Sequence, residues 1–188
     1  MNIMDENQTN VESSGNGIWE FVKVVIISLL IVIPVRTWVA QPFIVDGSSM
    51  VPTYHNGEYL IIDELTYELS TPERGQVIVF RYPINPSEFF IKRIIGLPGE
   101  TVEIKNSKVL IHPADSDQTI VLDESYLPKN LQTGPDETVK LEAGQYFVMG
   151  DNRTASSDSR FWGVLPRNNI TGKVFLRLWP LTKAGFVN

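Results

Sequence analysis

A sharp change of solvent preference near the N-terminus constrains this chain more than any other feature. Val24–Val35 is an apolar run broken only by Ser28 and ending in Pro34-Val35. Ile18, Trp19, Phe21 and Val22 extend it backward past Glu20 and Lys23, and Trp38, Val39 and Ala40 extend it forward past Arg36. So much apolar surface has three destinations: a protein core, removal as a leader, or a bilayer. The uncharged run alone is shorter than the roughly 20 residues a span requires, which keeps the core helix as an alternative. The whole stretch 18–40 fits a span better. Trp19 and Trp38 stand where interfacial aromatics belong, and Lys23 and Arg36 can snorkel to the surface. One base lies on each flank, so charge bias does not orient the segment. A cleaved leader needs small residues at −1 and −3. Ala40 suits −1, but Trp38 would then fill −3, so an uncleaved signal-anchor is expected. The preceding residues 1–17 are polar, carry Asp5, Glu6 and Glu12 with no base, and read as a disordered tail.

Composition narrows what the remaining chain can do. The 188 residues carry a net charge of −6, so a general binder of phosphate backbones is a poor reading and no nucleic-acid partner is expected. There is no cysteine, which excludes disulfide scaffolding, thiol catalysis and cysteine-ligated metal. Only His55 and His112 are available as imidazoles, so no site needing several histidine ligands can form.

After residue 40 the pattern becomes β-like. Short β-branched or aromatic runs recur at 77–81, 89–95, 102–104, 108–111, 119–122, 145–149 and 173–178, punctuated by Gly, Pro, Asn and Asp. No long 3.6-residue periodicity competes with them. The expected fold class is mainly β: an antiparallel sheet domain over 41–188, sandwich-like or barrel-like, preceded by one N-terminal transmembrane helix. The segment 113–138, rich in Asp, Ser, Pro and Gln, is expected to include an exposed loop.

Three segments could carry chemistry. Gly47-Ser48-Ser49-Met50-Val51-Pro52-Thr53 is a small-residue turn directly after the strand-like Pro42–Val45. Such a turn lets a backbone approach a ligand and can present a serine nucleophile or an outward amide, though it also reads as a plain turn. A base is needed. His55 or His112 could complete a Ser-His-Asp triad, but each reads first as a surface residue. Lys92 is the other candidate, within Phe89-Phe90-Ile91-Lys92-Arg93-Ile94-Ile95. Alternation puts Phe90, Lys92 and Ile94 on one face and Ile91, Arg93 and Ile95 on the other, so each face carries one base among apolar residues. Desolvation would lower the lysine pKa and leave a neutral amine able to accept a proton, and Ser-Lys pairs are a known variant of the triad. The third segment, Met149–Arg160, is a dense polar loop suited to supporting a site through its own hydrogen bonds.

Together these segments resemble the bacterial type I signal peptidases, membrane-anchored Ser-Lys proteases that remove signal peptides. The matching motifs, in order, are Ser49-Met50-Val51-Pro52-Thr53, Gly75–Phe80, Lys92–Glu100 and Gly150–Arg160. The resemblance implies Ser49 as nucleophile and Lys92 as general base, with Ser156 orienting the lysine and Asp158 and Arg160 as a supporting ion pair. It implies that Phe80, Phe90 and Val148 border the lysine stem, and that Phe43, Val45 and Ile91 line pockets for small side chains at −1 and −3. Gly150, Asp151, Asn152 and Arg153 match the scaffold of the site. The implied partners are exported preproteins and the lipid bilayer, with the N-terminus cytoplasmic and 41–188 outside. No metal or organic cofactor is implied. Three positions depart from the pattern. Gly47 stands where some relatives carry an oxyanion-binding serine, and Gln76 and Glu100 replace the more usual Asp. The short stretch from Glu100 to Gln145 resembles the compact, Gram-positive-like form. An inactive relative serving as a membrane-bound assembly factor would lack Ser49 or Lys92. A cytosolic self-cleaving repressor-type protease would lack the anchor. The sequence carries no signal for oligomeric state.

Overall fold

The computed structural model describes residues 15–34, 40–116 and 118–187, which fall into two units, Met1–Thr37 and Trp38–Asn188. Residues 1–14 of the tail expected over 1–17, and residues 35–39 of the expected anchor, lie outside the described residues, while 15–17 of that tail fall in a helix.

The first unit contains helix α1, Gly15–Pro34. It is described as far as Pro34, which has no N–H to give to the backbone ladder. Its apolar side chains are exposed all round, from 36% for Val22 to 73% for Ile18. Near its start Lys23 Nζ donates to Glu20 Oε1 at 2.8 Å, so the two charges face each other. Among the described residues no helix is long and apolar enough to cross a membrane.

The second unit is mainly antiparallel β, as expected. Its strands are β1 (Ala40–Ile44), β2 (Tyr59–Asp63), β3 (Val77–Arg81), β4 (Phe89–Gly96), β5 (Thr101–Lys105), β6 (Lys108–His112), β7 (Ile120–Val121), β8 (Glu137–Lys140), β9 (Gln145–Met149), β10 (Leu165–Pro166), β11 (Ile170–Trp179) and β12 (Gly185–Phe186). Short helices α2 (Leu65–Leu69) and α3 (Ser159–Trp162) interrupt them. The larger sheet runs β1-β2-β11-β3-β4-β9-β10, with β12 added to β11, and the smaller runs β7-β6-β5-β8. Pro42 and Pro166 both lie in strands at the ends of the larger sheet, where a missing N–H costs no ladder bond.

Alternation along the strands builds three apolar clusters. Val77 and Val79 of β3 enter one with Val45, Met50, Tyr54, Leu60, Ile62 and Val174. Ile78 and Phe80 enter a second on the opposite face, with Ile94, Tyr146 and Val148. β3 therefore reads as a continuous apolar run because both of its faces are covered. Phe147 and Met149 of β9 point away from the second cluster into a third, which the smaller sheet closes with Val102, Ile104, Val109 and Ile111. Each large side chain so buried contributes roughly 1.5–3 kcal/mol.

One irregularity in pairing shapes the site. β4 pairs with β3 from Phe89 to Arg93 but with β9 only from Arg93 to Gly96. Over Phe89–Lys92, the β9 side of β4 has no strand partner among the described residues.

Candidate active site

The turn after β1 is a loop closed at its feet. Val45 N–H donates to Glu58 O at 2.9 Å and Gly57 N–H to Val45 O at 2.8 Å. Gly47 has φ +91°, a conformation that excludes most side chains, and its N–H donates to Asn56 Oδ1. Met50 and Tyr54, both at most 1% exposed, plug the loop into the first cluster, and Tyr54 N–H closes one turn onto Met50 O at 2.9 Å. Ser49, just before the Met50 plug, is left half-buried and lines a cleft.

Lys92 comes to the same point from β4. Its Nζ lies 2.8 Å from Ser49 Oγ and donates to Ile91 O at 2.9 Å. The residue is only 4% exposed. Alternation holds as read: Phe90 and Ile94 belong with the second cluster, while Ile91 packs on the first and Ile95 in the third. The Phe90 ring centroid lies 5.2 Å from Nζ, stacks on Tyr82 at 4.4 Å and meets Phe80 edge-on at 6.3 Å. Burial among these groups pushes the lysine pKa down to about 8, against the opposing pull of the Asp158 and Asp151 carboxylates. At pH 7 about a tenth of the amine is therefore unprotonated and able to accept the Ser49 proton, a fraction that grows as pH rises through 8.

The polar loop after β9 braces both groups. Asn152 N–H donates to Ser49 O at 2.9 Å and its Nδ2 to Ser48 O at 3.1 Å. Asp151, fully buried, receives Arg93 Nε at 2.9 Å and Nη2 at 2.6 Å, and Thr53 Oγ1 at 2.5 Å. Thus the second base of β4, on the face away from Lys92, ties the strand to the loop. Asp158 caps α3 by accepting from Arg160 N–H, receives Gly150 N–H at 3.0 Å, and pairs with the Arg160 guanidinium at 2.8 Å. Ser156 is buried near Gly150, and its Oγ has no hydrogen-bond partner; its nearest approach is steric, since a Cβ on Gly150 would fall 2.2 Å from that oxygen. Arg153 reaches the 122–136 loop, donating to Thr133 Oγ1, Tyr126 Oη and the Glu124 carboxylate.

A cleft of about 510 Å³ adjoins the Ser49–Lys92 pair. Phe43, Val45 and Ile91 line it, along with Ser49, Lys92 and the partnerless stretch of β4. An extended peptide could add to the open strand edge here, with apolar floor beneath it.

His55 is exposed and lies away from the pair, beside Trp179 and Lys183. His112 Nε2 lies 2.9 Å from Glu103 in the smaller sheet. Neither histidine lines the cleft beside Ser49. Among the described residues no cluster of acidic, His or Cys side chains could hold a metal ion. The roles of Thr53, Glu124 and Thr133 were not apparent in the sequence. Arg93 gave the one signal, as a base on a strand face otherwise apolar.

A family model for signal peptidase, peptidase S26, matches residues 18–179. A probable signal peptidase I-2 from Synechocystis sp. is 36% identical, with 99% of this chain and 85% of that protein covered. Signal peptidase I from Leptolyngbya laminosa is 39% identical over 92% of this chain and 85% of its own. Signal peptidase I from Bacillus amyloliquefaciens is 35% identical over 88% of each. A crystal structure of a signal peptidase I from Enterococcus faecalis V583 superposes with a TM-score of 0.47 at 32% identity, over 55% of this chain and 97% of that one.

Proposed function

The chain belongs to the signal peptidase family, peptidase S26, and from that premise we propose that it cuts signal peptides from exported preproteins with Ser49 as nucleophile and Lys92 as general base. The observation that carries this reading is the 2.8 Å approach of Lys92 Nζ to Ser49 Oγ in surroundings that favour the neutral amine.

In the proposed sequence of steps, neutral Lys92 takes the Ser49 proton as Oγ attacks the scissile carbonyl. The Ser49 N–H, on a turn whose neighbouring carbonyls are held by Asn152, stabilises the oxyanion. Protonated Lys92 then gives its proton to the leaving amine, and a water activated by Lys92 releases the acyl group. Asp158 and Arg160 brace the loop beside the lysine through Gly150, whereas Ser156 Oγ makes no hydrogen bond to Lys92, so the orienting role expected of it is not formed in this arrangement. Phe43, Val45 and Ile91 form shallow pockets that admit small side chains at −1 and −3. Gly47 has no hydroxyl to offer, so the oxyanion depends on the backbone donor.

The same proposal includes membrane attachment through residues 18–40, with 41–188 on the outer face. Support comes from the encircling exposure of the α1 side chains, which need an apolar surrounding other than water. The test is incubation of the purified protein with a preprotein, followed by N-terminal sequencing of the product. Cleavage after a small residue is expected, lost in folded Ser49→Ala and Lys92→Ala and kept in His55→Ala and His112→Ala. Turnover near wild type in folded Lys92→Ala would defeat the mechanism.

A further inference from the structure

Behind the nucleophile turn, away from the cleft, lies a buried ion pair that the Ser49–Lys92 chemistry leaves unused. Arg177 of β11 and Glu58 are 13% and 4% exposed in their side chains, with Nε 3.2 Å from Oε2, a contact of charge alone in which neither atom makes a hydrogen bond. Glu58 stands at the foot of the turn, where its carbonyl accepts from Val45 N–H. The other end of the same guanidinium reaches the turn's far limb: Nη2 donates to Thr53 O at 2.7 Å, and the group lies 4.6 Å from the Tyr54 ring centroid. Thr53 in turn donates through Oγ1 to Asp151. The register of β11 against β2 shifts on both sides of Leu176-Arg177, and irregularities of this kind re-aim side chains.

A pair buried this deeply is a weak source of stability, because desolvating two charges offsets most of their attraction. Its geometry suggests a different use. One rigid fork spans a loop from foot to limb, and the carbonyl it takes lies four residues past Ser49. We propose that Arg177 is a positioning residue, clamping Glu58 to Thr53 and so holding the turn in the shape that keeps Ser49 within reach of Lys92. This rests on the reading of Ser49 and Lys92 as nucleophile and base. Asn152 fixes the turn at Ser48 and Ser49, and Arg177 fixes it at Thr53.

The test uses the full-length protein and a soluble peptide substrate, with Arg177→Met, Arg177→Lys and the double variant Glu58→Gln/Arg177→Met. In Arg177→Met kcat should fall about 30- to 100-fold while KM stays within about threefold, because a displaced nucleophile costs rate rather than binding. The midpoint of the pH–rate profile should not move. Amide exchange should quicken in the peptide covering 46–58 and stay unchanged in the strands. Arg177→Lys should recover part of kcat. The double variant leaves no unpaired buried charge and so should fold even if Arg177→Met does not, with the same loss of kcat. Wild-type kcat in the double variant, a loss confined to KM, or faster exchange throughout the domain would each overturn the proposal. Cleavage by Ser49→Ala would instead defeat the nucleophile reading, and the exchange result would stand apart from it.

Discussion

Lys92 is the residue on which sequence, geometry and electrostatics converge, and its titration can be read in two independent ways. A buried lysine whose pKa is lowered to about 8 is deprotonated, and hence active as a base, only as pH rises through that value. The rate should therefore climb with an acid-limb midpoint near 8. Phe90→Ser should admit water beside Nζ and move that midpoint upward; an unmoved limb in an active variant would rule out desolvation as the cause. The second readout is folding. The unfolded lysine titrates near the ordinary value of 10.5, so between about 8 and 10.5 the unfolded state binds more protons and native stability rises with pH. Below that window the cost of burying the charge is fully present, about 3 kcal/mol from the shift. Lys92→Met should therefore be more stable than wild type by about that amount at pH 7, and the gain should fade as pH approaches 10.5. Denaturant unfolding at the two pH values measures it, and a gain independent of pH would show that packing rather than charge is responsible.

The elements that carry the site were only partly legible, and the reasons are physical. β3, β9 and the second half of β4 announced themselves because two covered faces demand apolar side chains in sequence, whereas β11 did so through β-branched and aromatic residues that are largely exposed past Val174. β8, Glu137-Thr-Val-Lys140, pairs only with β5 and shows a weak pattern, since only Val139 packs on a cluster. β2, Tyr59–Asp63, is apolar enough but follows the nucleophile turn so closely that it reads as its continuation. The faces of β4 were readable from alternation. The meeting of Ser49 with Lys92 was legible only through the family resemblance, because it depends on the order β1-β2-β11-β3-β4, which brings in a strand from the far end of the chain. Loop conformation was least legible, and two glycines show why. A Cβ at Gly150 would fall 2.2 Å from Ser156 Oγ and 2.4 Å from Ser49 O, so a side chain there must displace the turn. At Gly47 nothing lies within 4 Å, and only φ +91° opposes substitution. Gly150→Ala should then lower cleavage at least about 100-fold, whereas Gly47→Ala should cost about 1–2 kcal/mol of stability and leave most of the activity. Assay and thermal unfolding of both variants separate the two mechanisms, and equal losses of activity would contradict the packing account.

At the scale of the whole molecule, the proposed chemistry falls in one of the two units and the proposed membrane attachment in the other. All three apolar clusters are drawn from residues 43 onward, and so are the Ser49–Lys92 pair and every group that braces it. Among the described residues, the three clusters and the groups named at the site include none from 1–37. The shortened chain should fold with an unchanged melting temperature and cleave a short soluble peptide at close to the full-length rate. Its deficit should appear only when the substrate sits in a bilayer. Tethering enzyme and signal peptide in one membrane turns their encounter into a local one, and such tethering is worth about 10²- to 10⁴-fold without any new contact. On a preprotein inserted in vesicles, kcat/KM of the shortened chain should fall by a factor in that range, with peptide cleavage as the internal control. A matching loss on both substrates would mean that the first unit shapes the active site. No loss on the vesicle substrate would mean that residues 18–40 do not tether the enzyme.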